Sequence, residues 1–203
     1  MSHPFFSAEP RFHHDLVEIT ESKYVKIDLR YCGSNNFMKR DLYQGFNQAF
    51  LHELAFVKFS RAVKILEAQF SDLNFLIYDA LRPRSVQQLM YNFVYQTPMQ
   101  NYVANPKLGS MHNFGMALDL TLQDKTGTVL DMGTDFDDFT ELAQPKLERQ
   151  LLASSKLSSK QVENRKTLRS IMEDSGFEQL PHEWWHYNAL PVDKVRKEFI
   201  IIK

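Results

Sequence analysis

The chain has 203 residues, of which 43% are apolar and 24% charged, and its formal net charge is −1. This composition excludes a low-complexity disordered chain, and no apolar run approaches the length of about 20 residues that a bilayer-spanning helix needs. The balance of 24 basic and 25 acidic residues gives no field that would attract nucleic acid or an acidic lipid surface. We therefore expect neither a nucleic acid nor a membrane as partner.

Cysteine content and the N-terminal sequence suggest a cellular compartment. Cys32 is the single cysteine, which excludes an intrachain disulfide and a cysteine-rich zinc module. The first 15 residues, MSHPFFSAEPRFHHD, contain no basic stretch followed by a long apolar run, so we expect no signal peptide and a cytoplasmic location. The length favours one domain, which we assign to residues 23–203 after an irregular N-terminal segment, residues 1–22.

The first half of the chain alternates between strand and helix patterns. A turn is expected at residues 32–37, where the sequence reads CGSNNF. Apolar residues at helical spacing predict a core-facing helix over residues 46–70, and Pro83 suits the start of another, because a first-turn proline lacks only an N–H that would have no partner. The further predictions here are strands over residues 23–29 and 73–78 and a helix over residues 84–96.

The second half contains the clearest strand pattern. Met116, Leu118, Leu120 and Leu122 alternate with smaller or polar residues, which predicts a strand with one apolar and one open face. A hairpin turn at residues 124–127 should return the chain into residues 128–132. We also predict a helix over residues 159–175 closed by Gly176 and a short strand around residues 183–187. Together these patterns indicate an α+β single domain with a central antiparallel sheet and helices packed on it.

Three segments contain residues suited to chemistry: YDALRP at 78–83, SMHNFGMALD at 110–119 and EWWH at 183–186. In the second segment, His112 and Asp119 are possible ligands of a divalent metal, because a buried carboxylate needs a partner. A salt bridge between Asp119 and one of the basic residues explains the same pattern. From this segment alone, that ordinary explanation is the better one.

The third segment shifts the balance towards a metal site. Catalytic zinc usually has three protein ligands and one open position, and His112, Asp119 and His186 would supply that set. Glu183 would then be the base that deprotonates water. Residues three apart on a strand point to opposite faces, so Glu183 must lie before the strand or at a distortion. The alternative is that residues 183–187 only pack a core.

Arg82 also has two interpretations. Near a metal, its guanidinium would stabilise the oxyanion that forms when water attacks a carbonyl. A surface arginine at a helix start, paired with a carboxylate in a salt bridge, is the better explanation of the residue taken by itself.

In combination these motifs resemble the D-Ala-D-Ala metallopeptidase superfamily, and in detail its D-Ala-D-Ala dipeptidase (VanX-like) branch. The resemblance runs from about residue 20 to 190, with its motifs in family order. The matching segments are DLRYCGSNNF, YDALRP, SMHNFGMALDLTL, MGTDFD and NRKTLRSIMEDSGFEQLPHEWWHY.

The resemblance implies a role for each matched residue. It implies one Zn²⁺ per chain, with His112, Asp119 and His186 as ligands. It further implies Glu183 as catalytic base acting on a metal-bound water, Arg82 as the transition-state arginine, and Ser110 and Asp137 as the residues that hold the free amino end of the substrate. The implied reaction is hydrolysis of the dipeptide D-Ala-D-Ala to two D-alanines.

Two other functions fit the same residues. One is a peptidoglycan D,D- or L,D-carboxypeptidase of the same superfamily, and the other is a zinc-stabilised binding module without catalysis. The dipeptidase itself would serve either the recycling of cell-wall dipeptide or glycopeptide resistance. The expected partner is a small dipeptide, and the sequence predicts no oligomeric state.

Overall fold

The structure is a computed structural model that describes residues 15–202. It contains seven strands and five α-helices in this range. The strands are β1 (Leu16–Ile19), β2 (Val25–Ile27), β3 (Ala49–His52), β4 (Leu73–Asp79), β5 (Ala117–Asp124), β6 (Glu178–Gln179) and β7 (His186–Asn188). The helices are α1 (Glu53–Gln69), α2 (Arg84–Val94), α3 (Glu148–Ala153), α4 (Ser159–Asp174) and α5 (Val192–Glu198).

A five-stranded sheet in the order β2-β4-β5-β7-β6 forms the centre of the fold. The pairs from β4 to β6 are antiparallel, whereas β2 pairs with β4 in parallel, so the sheet is mixed rather than wholly antiparallel. Strands β1 and β3 form a separate antiparallel pair. The predicted α+β single-domain class is confirmed, and the predicted antiparallel arrangement holds for the strands at the centre.

The two central strands are buried on both faces. On one face, Phe75 of β4 packs against Phe59 of α1, with ring centroids 5.6 Å apart. On the other face, Tyr78 contacts Phe136 of the segment that follows the hairpin. The face of β5 that carries Asp119 and was predicted to be open is therefore covered, and Asp119 is 3% exposed.

The predicted helix over residues 46–70 is wrong at its N-terminal end. Residues 49–52 form β3, and the helix begins only at Glu53. The strand forms because Leu16 to Ile19 pair with it, in a segment that we expected to be irregular. The first 14 residues of that segment lie outside the described residues.

The other predicted elements are present with shifted ends. The strands over residues 23–29 and 73–78 are β2 and β4, and the helices over residues 84–96 and 159–175 are α2 and α4. The turn at residues 124–127 forms, but the returning segment makes only an isolated bridge between Gln123 and Val129. The last predicted strand begins at His186, so Glu183 precedes it.

Membrane crossing is not supported by any helix in residues 15–202, since none is both long and apolar enough.

Candidate metal centre and substrate pocket

Two histidines and an aspartate from three separate segments meet on one face of the sheet. Asp119 of β5 and His186 of β7 are paired residues on neighbouring antiparallel strands, so their side chains lie side by side. His112 lies on a single-turn 3-10 helix, Met111–Phe114, just before β5. Gly115 connects the two with φ +64°, and a Cβ there would lie 2.7 Å from the backbone nitrogen of His52. Only glycine fits this turn without strain.

The three side chains converge on a common centre. His112 Nε2 lies 3.2 Å from Asp119 Oδ2, and His186 Nδ1 lies 2.9 Å from Asp119 Oδ1. The two ring nitrogens are 3.2 Å apart. Each residue thus offers one ligand atom, and these three atoms lie within 4.8 Å of one another. All three residues are buried.

Outer hydrogen bonds show that this cluster suits a cation. His112 Nδ1 lies 2.7 Å from the carbonyl oxygen of Ala80, so Nδ1 carries the proton and donates it. His186 Nε2 likewise donates to Asn188 Oδ1 at 2.8 Å. The facing nitrogens are then left with lone pairs directed at each other and at a carboxylate. Such outer bonds are the usual way to fix metal-binding histidines, and nitrogen with carboxylate oxygen is a donor set that zinc accepts.

The carboxyl group of Asp119 is ionised in this setting. Burial alone would raise its pKa, but the adjacent His112, and after it His186, outweigh this effect, and the pKa falls below its usual range. The cluster therefore presents an anionic oxygen beside two imidazole nitrogens.

Glu183 lies beside the cluster in a proton-accepting environment. Its position before β7 removes the strand geometry that would have turned it away from His186. Its Oε2 lies 3.9 Å from His186 Nδ1, and its side chain is 12% exposed. Burial raises the pKa of Glu183 to about 8, which suits a group that takes up and releases a proton near neutral pH.

Arg82 is held rigidly next to the same cluster. Its Nε and one terminal nitrogen lie 2.9 and 2.7 Å from Asp79 Oδ2, and the other terminal nitrogen donates to Gln87 Oε1 at 2.9 Å. It stacks on the ring of Tyr31 and lies 3.6 Å from Asp119 Oδ2. Burial opposes its charge, but Asp79 outweighs this effect and raises the pKa of Arg82 further, so the guanidinium stays charged.

Asp137 and Ser110 complete the set of predicted residues. Asp137 accepts a hydrogen bond from the Tyr31 hydroxyl at 2.9 Å and lies in the left-handed backbone region, with φ +61°. Burial raises its pKa to about 7. The backbone nitrogen of Ser110 donates to Asn113 Oδ1 at 2.8 Å, which fixes the start of the 3-10 helix.

All seven predicted site residues line one cavity of about 200 Å³. The structure therefore brings together every residue that the sequence singled out. A wider cleft of about 800 Å³ is lined in part by Asp137 and Phe37 but by none of the three clustered side chains.

Sequence reasoning missed the residues that orient the site. Asn188 and Ala80 bind the outer nitrogens of the two histidines, and Tyr31 contacts both Arg82 and Asp137. Of these, Asn188 carried a signal, because it lies two residues after His186 and so shares its face of a strand. Asp79, which pairs with Arg82, was also not among the predicted site residues.

Comparison with known proteins agrees with the family resemblance found in the sequence motifs. The sequence model of a family described as D-Ala-D-Ala dipeptidase matches residues 12–200. The chain is similar to the D-alanyl-D-alanine dipeptidase of Escherichia coli (strain K12), with 33% identity over 163 residues, which is 80% of this chain and 78% of the relative. It is also similar to D-alanyl-D-alanine dipeptidases of Synechocystis (31% identity, covering 56% of this chain and 58% of the relative) and Enterococcus faecium (44% identity, covering 43% and 39%).

Proposed function

We propose, because this chain belongs to the D-Ala-D-Ala dipeptidase family, that it hydrolyses D-Ala-D-Ala to two molecules of D-alanine at a zinc site. Membership of the family makes the chain a hydrolase of the metallopeptidase class. The observation that carries the metal-dependent mechanism is the convergence of His112 Nε2, His186 Nδ1 and the Asp119 carboxylate, with both outer ring nitrogens already bonded.

His112, Asp119 and His186 would hold the ion, one per chain. Zinc bound there supplies a Lewis acid and lowers the pKa of water towards about 7. The outer hydrogen bonds to Ala80 and Asn188 keep the two rings in the tautomers that leave the facing nitrogens free.

Glu183 acts as the general base. Its raised pKa lets it take a proton from the attacking water and pass the proton to the leaving amine after the peptide carbon has become tetrahedral. Its side chain is largely shielded from solvent beside the cluster, which limits exchange of that proton with bulk water.

Arg82 stabilises the oxyanion that develops on the peptide oxygen. Asp79 and Gln87 fix its orientation before substrate binds, so little reorganisation accompanies the reaction. A guanidinium held in this way is a preorganised positive charge, whose effect is largest in a site shielded from water.

Asp137 binds the free amino end of the dipeptide, and Ser110 is a second substrate-binding residue on the same cavity. An ammonium group needs an anion and acceptors, and Asp137 is a partly buried carboxyl group that Tyr31 orients. The cavity of about 200 Å³ suits a short substrate. We further propose that the enzyme acts in the cytoplasm, where free dipeptide is available.

The test is hydrolysis of three substrates by zinc-loaded protein, with one inactive variant measured in parallel. We expect cleavage of D-Ala-D-Ala, little cleavage of L-Ala-L-Ala or of N-acetylated D-Ala-D-Ala, and no cleavage by the Glu183→Ala variant. Cleavage of the N-acetylated peptide would instead indicate a carboxypeptidase. Bound zinc without any cleavage would indicate a binding module.

A further inference from the structure

We infer that Arg196 of α5 binds the α-carboxylate of the dipeptide and thereby selects substrates with a free C-terminus. This inference rests on the proposed function, because it concerns the same substrate in the same cavity. It assigns a second charged end to the pocket, opposite in sign to the end formed by Asp137.

Arg196 reaches the cavity from a helix that is held firmly in place. Its side chain lines the cavity that contains the metal cluster, and a terminal nitrogen donates to the carbonyl oxygen of Gly109 at 3.1 Å. Val195 beside it is fully buried. After α5, the backbone nitrogen of Ile202 donates to the carbonyl oxygen of Asn113. The helix and the loop before His112 are thus fixed to each other.

Among the charged side chains that line the pocket, Arg196 is available to bind a substrate carboxylate. The cavity is lined by three carboxyl groups, those of Asp119, Asp137 and Glu183, and by two guanidinium groups. Arg82 is already paired with Asp79. Arg196, in contrast, forms no ion pair with any carboxylate of residues 15–202.

A free dipeptide needs such a group. Its carboxylate would otherwise enter a cavity lined by three acidic side chains, and like charges that share a desolvated site repel each other. A guanidinium with unused N–H donors matches a carboxylate in both charge and geometry. Arg196 is bonded to Gly109 and Asp137 to Tyr31, so different segments hold the two groups that line the cavity, and each group can bind one end of the zwitterion.

The test compares D-Ala-D-Ala with its C-terminal amide, which lacks only the carboxylate charge. Binding of both ligands is measured by calorimetry on zinc-loaded Glu183→Gln protein, so that no turnover intervenes. We expect Arg196→Gln to weaken binding of the free dipeptide by about tenfold, the scale of one lost charge-assisted hydrogen bond, and to leave binding of the amide unchanged. The affinity of Arg196→Lys for the free dipeptide should lie between those of the protein with Arg196 and of Arg196→Gln.

Lys197→Gln is the matched control, because Lys197 is an exposed cation of the same helix and does not line the cavity. It should change neither affinity. Equal weakening of both ligands by Arg196→Gln would show a merely structural role and overturn the inference, as would an unchanged affinity for the free dipeptide or no binding of either ligand. Failure of the wild-type protein to hydrolyse a dipeptide that it binds through Arg196 would overturn the proposed function instead.

Discussion

At the scale of single residues, Arg82 would combine the proposed catalytic role with a structural one. It would stabilise the oxyanion, and it neutralises the buried carboxylate of Asp79, which also accepts a hydrogen bond from Tyr43. We expect Arg82→Ala to lower kcat by ~10²–10³ while the protein keeps its metal. Enzyme kinetics and metal analysis of the same preparation check this.

Arg82→Lys separates the two roles of this residue. Lysine restores a positive charge beside Asp79, so it should recover most of the folding stability that Arg82→Ala loses. It has no planar fork, however, that reaches both Asp79 and Gln87. Activity should therefore stay low. Normal turnover by either variant would remove Arg82 from the mechanism.

Asp137 should favour binding of the dipeptide while lowering the stability of the folded protein. Because burial raises its pKa to about 7 in the folded protein, the native state holds a proton that the unfolded chain releases at lower pH. Native stability therefore falls as pH rises from about 4 to about 7. Asp137→Asn avoids this cost and should be more stable than wild type by about 1–2 kcal/mol at pH 8, with a higher KM for the dipeptide.

Urea unfolding of the metal-free proteins at mildly acidic and at alkaline pH measures the difference. Asp135→Asn is the control, because Asp135 is exposed on the same segment and should behave as wild type. A stability gain that does not grow with pH would contradict the titration of Asp137.

Residue types and spacing were sufficient to single out the side chains that cluster in the cavity, but not the groups that orient them. His112, Asp119, His186 and Glu183 have chemistry that is unusual enough to stand out in a sequence. Ala80 contributes only a backbone carbonyl to His112, and any residue type could do so. Such contacts follow from tertiary geometry alone.

At the scale of elements, α4 holds both ends of the segment that carries Asp137. Arg165 Nε donates to the carbonyl oxygen of Met132 at 2.6 Å, and its terminal nitrogen donates to that of Leu142 at 2.9 Å. Asn164 donates to the carbonyl oxygen of Asp131. Burial lowers the pKa of Arg165 only to about 10, so it remains charged at neutral pH.

We expect Arg165→Met to raise KM and to reduce stability by about 3 kcal/mol, because two charge-assisted bonds are lost in the core. Dipeptide kinetics and thermal unfolding measure the two effects. Lys166→Met, an exposed change on the same helix, should alter neither. A variant at Arg165 that unfolds earlier but keeps its KM would show that the segment needs no anchor.

Helix and strand prediction failed where the deciding partner was distant in sequence. Apolar spacing at residues 46–70 favours a helix throughout, yet residues 49–52 pair with β1 and form a strand. The face of the sheet that carries Asp119 was misjudged for a similar reason, because Phe136 beyond the hairpin packs on it at Tyr78 of the neighbouring strand β4. Sequence patterns over a short stretch of chain do not contain information on contacts between distant residues.

At the scale of the whole molecule, the metal site should contribute to the stability of the fold. Its ligands come from β5, β7 and the segment before β5, and their facing lone pairs repel when no cation lies between them. At free zinc 100-fold above its dissociation constant, we expect a gain of about 2.7 kcal/mol over the metal-free protein. Thermal unfolding with and without chelator measures this gain.

His112→Ala should abolish the dependence of stability on zinc, whereas His182→Ala should preserve it, because His182 is exposed and lies outside the cluster. An unchanged zinc effect in His112→Ala would refute the assignment of this ligand.

The pairing of Asp119 with His186 across neighbouring strands has a consequence for folding fidelity. Strand β7 has only three residues, so only three residue pairs with β5 fix its alignment. A slip of one residue would turn His186 to the opposite face of the sheet and separate it from Asp119. Only a chain with the correct alignment would then hold the ion with all three residues, so a bound metal would stabilise the correct alignment of β7 relative to the shifted one.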